Sequence, residues 1–210
     1  MKILSCKAQH GAYLELMLED GQVHSVHREI AAEYGLMSLT EIPEDTLNSM
    51  LFDNDVRRSF QRALYLLDMQ GYSYQMMFRK LSQSYEEEVC YTVMDKLCEI
   101  GVINDWKYAE AAARKAAEIK RYGPRRISQM LWQKGIPKAV IDKTLLPYMD
   151  EELQIENIIW LLRRKYAKLL TDPDDRRSVE KCKAALVRLG YGFSVIGEAV
   201  RIYFENEEEE

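Results

Sequence analysis

One pattern of apolar residues occurs three times along this chain of 210 residues. Each copy has five apolar positions at steps of four or five residues, and the last two steps are four and five residues in every copy. The copies are Met77, Leu81, Tyr85, Val89 and Met94, then Ile127, Leu131, Ile136, Val140 and Leu145, then Cys182, Leu186, Tyr191, Val195 and Val200. A step of about four residues is one helical turn, and Gly135 and Gly190 stand where one helix ends and the next begins. The register therefore predicts pairs of short helices.

A further amphipathic helix precedes each pair, which makes three units of three helices. We expect these preceding helices at 55–70, from Trp106 to about Gly123 with Asp105 as its N-cap, and at 151–170. A helix pair cannot bury its apolar face alone, so tandem copies are expected to stack into an elongated array. The loop at 171–175 is longer than its counterparts, which marks the third unit as the capping member.

The segment before the repeats has a different pattern. Residues 2–8, 12–18 and 22–27 are predicted strands of a small antiparallel unit, because apolar residues alternate and Glu19-Asp20-Gly21 is a hairpin turn. A short helix near 28–34 ends at Gly35, and Pro43 opens a polar connection in which 44–50 forms a further helical turn.

The predicted fold is therefore mainly α-helical, with a small N-terminal antiparallel β unit followed by the elongated array of three three-helix repeats. The predicted segments are 1–54 for the β unit with its short helix, 55–103, 104–149 and 150–205 for the three repeats, and 206–210 for an acidic tail.

Composition excludes several classes of protein. No apolar run reaches the roughly 18 residues that span a bilayer, and the first ten residues lack the apolar stretch of a signal peptide, so we expect a cytoplasmic protein. The four cysteines lie far apart without a CxxC motif, and buried free thiols are expected rather than disulfides or a metal site.

The sequence contains no recognisable catalytic or cofactor motif. None of the ten glycines belongs to a GxxxxGK or GxGxxG nucleotide loop. His24 and His27 point to opposite faces of one predicted strand, and we expect the three histidines to lie on the surface. Glu86, Glu87 and Glu88 open a helix, where carboxylates complement the helix dipole. We therefore expect a protein that is not an enzyme and that needs no metal or cofactor.

Charge is distributed unevenly along the chain. Residues 1–56 carry three Lys/Arg and ten Asp/Glu, a net of −7, whereas residues 106–148 carry ten and three, a net of +7. The basic part can attract nucleic acid or an acidic protein surface, or can simply be a solvated helical face. The candidate contact residues are Lys120, Arg121, Arg125, Arg126, Lys134, Lys138, Arg163, Arg164 and Lys165.

Two helices joined near Gly135 also have the geometry of a helix-turn-helix. The second helix, 137–148, offers Lys138, Asp142 and Lys143 but none of the Arg, Asn or Gln side chains suited to bidentate contact with base edges. Lysines can contact phosphates without reading the base sequence. Nonspecific contact with single- or double-stranded DNA is therefore a better interpretation than sequence-specific binding.

Several short motifs resemble the RecX family of bacterial recombination regulators. They are Gly101 to Ala109 (GVINDWKYA), Arg121 to Ile127 (RYGPRRI) with Leu131 and Lys134-Gly135-Ile136, Arg62-Ala63-Leu64 with Tyr72 and Leu81, and Arg188 to Tyr191 (RLGY). The resemblance covers about residues 57–204, and it departs from the family pattern in the first repeat, which lacks the turn glycine.

The resemblance implies a regulator of homologous recombination and DNA repair that binds the filament of the RecA recombinase on DNA. Such a protein would limit filament extension and so inhibit RecA ATP hydrolysis, strand exchange and co-protease activity, which links it to the SOS response. Two alternatives stay open: a nucleic-acid-binding helical module that acts without RecA, and a structural adaptor that binds other proteins.

Overall fold

The computed structural model describes residues 1–208, and within them the chain is mainly helical with a small antiparallel sheet at its N-terminus, which confirms the predicted fold class. The helices are α1 (Arg28–Glu33), α2 (Glu44–Met69), α3 (Tyr74–Leu81), α4 (Glu87–Glu99), α5 (Asp105–Glu118), α6 (Pro124–Gln133), α7 (Lys138–Leu145), α8 (Glu151–Leu161), α9 (Arg176–Arg188) and α10 (Phe193–Glu208). Short 3-10 turns follow α1 and α7. Glu209 and Glu210 of the predicted acidic tail lie outside the described residues, and α10 extends through Glu208.

The three strands pair in chain order. They are β1 (Ile3–Ala8), β2 (Tyr13–Leu18) and β3 (Val23–His27), and both pairings are antiparallel. Alternate residues of β2, namely Leu14, Leu16 and Leu18, are buried, so one face of the sheet lies on the core. Gly21 occupies the left-handed region, with φ of 84°, in the turn between β2 and β3.

Helix α2 corrects the prediction for 44–70. A helical turn at 44–50 and a separate helix from 55 were expected, with a segment boundary between 54 and 55, but one helix of 26 residues runs through both. Asp53-Asn54-Asp55 resembles a turn in the sequence. Asn54 is instead buried inside the helix, where its Oδ1 accepts a hydrogen bond from the backbone N–H of His27 at 2.8 Å and its Nδ2 donates to the carbonyl oxygen of Ser25 at 3.1 Å. The helix thereby binds strand β3 directly.

Two expectations about single residue types are also corrected. His27 is buried rather than on the surface, and its Nδ1 accepts the backbone N–H of Glu29 and so caps the start of α1. Only two of the four cysteines, Cys90 and Cys182, are buried; Cys6 is half-buried and Cys98 is exposed.

The chain forms two compact units. The first unit contains Met1–Tyr72 and Met77–Ile103. In the core beside its sheet, the buried face of β2 packs with α1 and with the first half of α2. Ile30 of α1 and Leu47 and Met50 of α2 are buried in this core. The second half of α2 packs on α4.

The second unit contains Ser73–Met76 and Asn104–Glu210, and its described part has two neighbouring cores. The first core lies among α5, α6 and α7, where Ala109, Ala113 and Ala116 let the helices approach closely. The second core lies among α8, α9 and α10 around Cys182, Leu186 and Tyr191. Of the fifteen residues in the repeated register, thirteen are buried, and Tyr85 and Val140 are half-buried.

Two helix ends in the second unit differ from the predictions. The N-cap of α5 is Asn104, whose Oδ1 accepts the backbone N–H of Lys107 at 3.0 Å; Asp105 is the first helical residue, and its Oδ1 accepts the backbone N–H of Tyr74 at 2.7 Å. The helix predicted over 151–170 is α-helical only to Leu161 and continues as a π-helix over Leu162–Tyr166. The π-helix contains Arg163, Arg164 and Lys165.

Candidate interface

The end of α9 meets the start of α6 inside the second unit. Gly123 donates its backbone N–H to the carbonyl oxygen of Leu189 at 2.8 Å, and Arg125 donates to the carbonyl oxygen of Gly190 at 3.2 Å. No side chain caps α6, and Pro124 at its first position has no N–H to donate. The two carbonyl oxygens that follow α9 therefore accept backbone N–H groups at the start of α6, where no side chain caps the helix.

Two glycines make this approach possible. A Cβ built on Gly123 would lie 2.6 Å from the carbonyl oxygen of Gly190, which is far inside van der Waals contact. A Cβ on Gly190 would overlap the backbone of Arg126, and Gly190 also has φ of 97°, a conformation that other residues rarely adopt. The second and third repeats thus meet backbone to backbone.

Arg121 makes a further contact between the second and third repeats. It is the one residue other than glycine with positive φ, 53°, among residues 1–208. Its carbonyl oxygen accepts a hydrogen bond from the hydroxyl of Tyr191 at 3.0 Å, and its guanidinium donates to Oδ1 of Asn157. A left-handed conformation costs about 1–2 kcal/mol for a residue with a Cβ, so these contacts fix a conformation that the chain alone would not choose.

Six residues around this junction form what we call the basic-aromatic cluster: Lys120, Arg121, Tyr122, Arg126, Trp160 and Arg164. The guanidinium of Arg121 lies 5.0 Å from the ring centre of Trp160, and that of Arg164 lies 5.9 Å from it. Lys120 and Arg126 lie 5.6 Å and 5.7 Å from the ring centre of Tyr122. Each ring therefore orients two cations, because an aromatic face attracts positive charge.

The cations of the cluster remain open to solvent. Lys120, Arg126 and Arg164 are exposed, while Arg121 is half-buried by Asn157 and Trp160. When a guanidinium lies beside a ring, the N–H groups at the edge of the guanidinium can still donate hydrogen bonds. These donors suit the bidentate recognition of phosphate or carboxylate. Arg164 stands in the π-helix, a feature that often occurs at functional sites.

Burial has a strong electrostatic effect on Tyr191. Desolvation raises the pKa of its phenol to about 12, although the nearby Arg121 guanidinium acts in the opposite direction. The hydroxyl therefore stays protonated into the alkaline range in which a free tyrosine ionises, and it remains the donor to the carbonyl oxygen of Arg121 there.

A groove between α6 and α7 adjoins the cluster. It has a volume of about 400 Å³ and is lined by Arg125, Gln129, Trp132, Lys138 and Ile141, among others. The indole of Trp132 is 72% exposed. Lys138 forms an ion pair with Asp142 on the same helix, so part of its charge is neutralised in the groove.

The nine predicted contact residues are thus distributed over several places. Lys120, Arg121, Arg126 and Arg164 belong to the basic-aromatic cluster, and Arg125 and Lys138 line the groove. Arg163 and Lys165 are exposed neighbours of Arg164. Lys134 is half-buried, and its carbonyl oxygen accepts the hydroxyl of Ser73, which gives its backbone a structural role.

Sequence reasoning missed Asn157, Trp160 and Tyr191 as members of this junction. Tyr191 was placed in the core register, and its hydroxyl contact with residue 121 has no local signal. Trp160 stands four residues before Arg164, which is one helical turn, and this spacing was the available signal.

Some kinds of site are absent from the described part of the chain. Among the side chains that the structure describes, no three His, Cys, Asp or Glu residues are placed to hold a metal ion together. In the same part of the chain, no helix has the length and apolar character needed to cross a bilayer.

Comparison with known proteins gave consistent matches. The chain is 23% identical over 183 residues to a protein of Clostridioides difficile (strain 630) named regulatory protein RecX, and this match covers 87% of the chain and 85% of the relative. It is 29% identical over 178 residues to the protein of the same name from Bacillus cereus (strain B4264), covering 82% of the chain but 63% of that longer relative.

Two solved structures have the same fold. One is described as regulatory protein RecX and superposes with a TM-score of 0.71 at 26% identity, covering 92% of this chain and 96% of the other. The second is RecX from Lactobacillus salivarius, with a TM-score of 0.66 at 25% identity over 72% of this chain and 97% of the other.

A small N-terminal sheet, repeated three-helix units and a basic surface define a helical-repeat protein. The family model for the second three-helix domain of RecX matches residues 104–145, the segment that contains α5, α6 and α7. Together with the relatives and the structures, this match supports a protein of the RecX family of regulatory proteins.

Proposed function

We propose that this protein regulates recombination by binding the RecA filament on single-stranded DNA, where it inhibits RecA ATP hydrolysis and, with it, strand exchange and co-protease activity. The observation that carries the proposal is the basic-aromatic cluster, which collects four cations at one junction of an otherwise acidic protein. The names of the relatives support the role of a regulator.

The charge of the cluster suits a partner that carries DNA. Each phosphate of a DNA strand is an anion, and contact with Lys or Arg releases condensed counterions, so binding should weaken as the salt concentration rises. At physiological ionic strength a surface charge acts over about 8 Å, so a local concentration of cations matters more than the total charge of the protein. The net charge of −5 therefore does not prevent attraction at this surface.

Regulation by binding, without catalysis, is the mode that these side chains favour. Arginine, lysine, tyrosine and tryptophan provide charge and stacking surfaces, whereas proton transfer at neutral pH generally uses histidine or a carboxylate. The connection of the second and third repeats through Arg121 and Tyr191 keeps the cations in a fixed arrangement, which reduces the entropy lost on binding.

The test is the rate of RecA ATP hydrolysis on poly(dT) while the protein is titrated in at several salt concentrations. We expect the wild-type protein to lower the rate in a saturable manner. The double variant Arg126→Glu, Arg164→Glu should need a much higher concentration for the same effect, most clearly at low salt. A wild-type protein that leaves the ATPase rate unchanged at all concentrations would disprove the proposal.

A second function is favoured by the pairing of cations with aromatic rings, which is typical of proteins that bind single-stranded nucleic acid. In that case the protein would bind nonspecifically to DNA without RecA. The affinity for a fluorescent oligonucleotide, measured without and with RecA, distinguishes the two. Equal affinity in both, with no effect on ATP hydrolysis, would favour the second function.

A further inference from the structure

We propose that the groove between α6 and α7 accepts a base of single-stranded nucleic acid, with the indole of Trp132 as the surface on which the base stacks. The inference deepens the proposed function, on which it rests for the presence of DNA. It assigns Trp132 a contact with the base itself, separate from the contact of the cluster with phosphates.

Trp132 is unlike the other two rings discussed above. Tyr122 and Trp160 each have two cations beside their rings, whereas among residues 1–208 no cation and no second ring lies on Trp132. Its indole is 72% exposed, so a large flat apolar surface faces water. Aromatic side chains that bind successive bases of a single strand have these properties.

The position of Trp132 on α6 aligns it with a cation. Arg125, Gln129 and Trp132 stand at steps of four and three residues, so they share one face of the helix. Arg125 lies about two turns, roughly 10 Å, before Trp132 along the axis. A strand that places a base on Trp132 can therefore bring a neighbouring phosphate towards Arg125.

The groove has the dimensions and the lining for one base. Its volume of about 400 Å³ lies in the range of pockets for small organic ligands. Ile141 adds an apolar wall on α7, and Gln129 adds an amide with donors and an acceptor. Trp132 and Ile141 are the apolar lining residues, and the other residues that line the groove are polar or charged, a mixture that suits a flat heterocycle with polar edges.

Charge favours an anionic partner at the groove over a basic or neutral protein segment, and the exposed ring of Trp132 adds the stacking surface that favours nucleic acid among anionic partners. Residues 124–145, which form α6, α7 and their turn, contain five Lys/Arg and one Asp, a net of +4. That single Asp142 is already paired with Lys138, whereas Arg125 has no carboxylate partner within 4 Å in the described chain. An exposed aromatic ring near an unpaired cation complements a base joined to its phosphate.

The experiment measures the binding of the full chain, without RecA, to a fluorescent (dT)12 and to a 12-residue abasic oligonucleotide by anisotropy. Trp132→Ala should lower the affinity for (dT)12 about tenfold, since stacking of one base contributes on the order of 1–3 kcal/mol. Trp132→Phe should retain most of the affinity. The abasic strand should bind equally to the wild type and to Trp132→Ala.

Phe193→Ala is the matched control, because Phe193 is 73% exposed and so equals Trp132 in exposure on another helix. Its affinity for (dT)12 should be unchanged. The inference is overturned if wild-type protein fails to bind (dT)12 at low salt, or if Trp132→Ala binds as tightly as wild type. It is also overturned if Phe193→Ala loses as much affinity or if the abasic strand is affected equally.

A separate readout distinguishes this inference from the proposed function. If Trp132→Ala loses inhibition of RecA ATP hydrolysis but keeps its affinity for (dT)12, the groove binds a protein segment; the inference then fails and the proposed function stands. If Trp132→Ala loses affinity for (dT)12 while wild-type protein never alters the ATPase rate, the inference stands and the proposed function fails. Circular dichroism of each variant checks that the fold is kept.

Discussion

The hydroxyl of Tyr191 donates a hydrogen bond of 3.0 Å to the carbonyl oxygen of Arg121, a residue 70 positions earlier in the chain. This bond joins the turn after α9 to the turn before α6, and it supports the left-handed backbone at Arg121. Because the side chain of Arg121 in turn contacts Asn157 and Trp160, one buried phenol contributes to the arrangement of the whole basic-aromatic cluster.

The variant Tyr191→Phe tests how much this hydrogen bond contributes to the stability of the fold. The variant keeps the buried ring but leaves the carbonyl oxygen of Arg121 without its partner, so we expect the free energy of unfolding to fall by about 1–2 kcal/mol. Urea denaturation, monitored by circular dichroism, measures the free energy of unfolding of each variant. Tyr65→Phe, which removes an exposed hydroxyl, serves as the control and should change little. Equal effects in the two variants would show that the bond adds nothing.

The pH dependence of stability tests the burial of the same phenol. The pKa of Tyr191 is raised to about 12 from an ordinary value of 10. The protonated form is therefore favoured in the folded state, and its contribution is complete below pH 10 and is lost between pH 10 and pH 12. From pH 9 to pH 11, the wild type should lose about 1.4 kcal/mol more than Tyr191→Phe.

Urea denaturation of the two proteins at pH 9, 10 and 11 provides this comparison. The pKa of Tyr34 is also raised to about 12, mainly by its hydrogen bond to Asp53, but it is present in both proteins and its effect cancels. If the stability difference between the two proteins stays constant up to pH 11, the phenol is hydrated and not buried.

Gly123→Ala tests the backbone contact between the second and third repeats. The φ of Gly123 is −76°, which alanine adopts freely, so any destabilisation comes from the added methyl group against the carbonyl of Gly190. We expect a loss of about 1–3 kcal/mol by overpacking. In Gly197→Ala, the new Cβ meets nothing within 4 Å in the middle of α10, and this control should be stabilised by up to about 1 kcal/mol.

Local periodicity predicted the core much better than the junction. The register residues Leu81, Leu131 and Leu186 are all fully buried, because the helical period alone decides which residues face inward. The continuous helix α2 was not predicted, and the hydrogen bonds of Asn54 to the distant strand β3 explain why this polar residue lies buried inside the helix.

The candidate interface was predictable in charge but not in geometry. A run of basic residues around 120–126 is visible in the sequence, and the structure places four of the nine candidates in one cluster. The bond from Tyr191 to Arg121 spans 70 residues and depends on how two repeats stack. No pattern of one helix contains that information, so the left-handed conformation of Arg121 was not foreseen.

Leu131→Ala tests the register itself. Leu131 is fully buried in the core of α5, α6 and α7, so we expect a loss of about 2–5 kcal/mol through lost burial and the cavity left behind. Leu146→Ala is the control, because Leu146 is 69% exposed and its loss should stay within about 0.5 kcal/mol. Chemical denaturation that gives similar values for the two variants would place Leu131 outside the core.

The last prediction concerns the charge at the start of α6. We expect the double variant Arg125→Glu, Arg126→Glu to keep its helical circular dichroism, because carboxylates in a first helical turn complement the helix dipole. It should nevertheless need a much higher concentration to inhibit RecA ATP hydrolysis on single-stranded DNA. The loss should be greatest at low salt, since screening lengths fall from about 30 Å at 0.01 M salt to 10 Å at 0.1 M.

The matched control is Arg176→Glu, Arg177→Glu. These are also adjacent, exposed arginines in the first turn of a helix of the same unit, so the second variant changes the net charge and the helix dipole interaction by the same amounts. We expect it to inhibit nearly as well as the wild type. If both variants lose inhibition equally, total charge governs the interaction. If neither loses it at any salt concentration, the start of α6 is a solvated surface and the partner binds elsewhere.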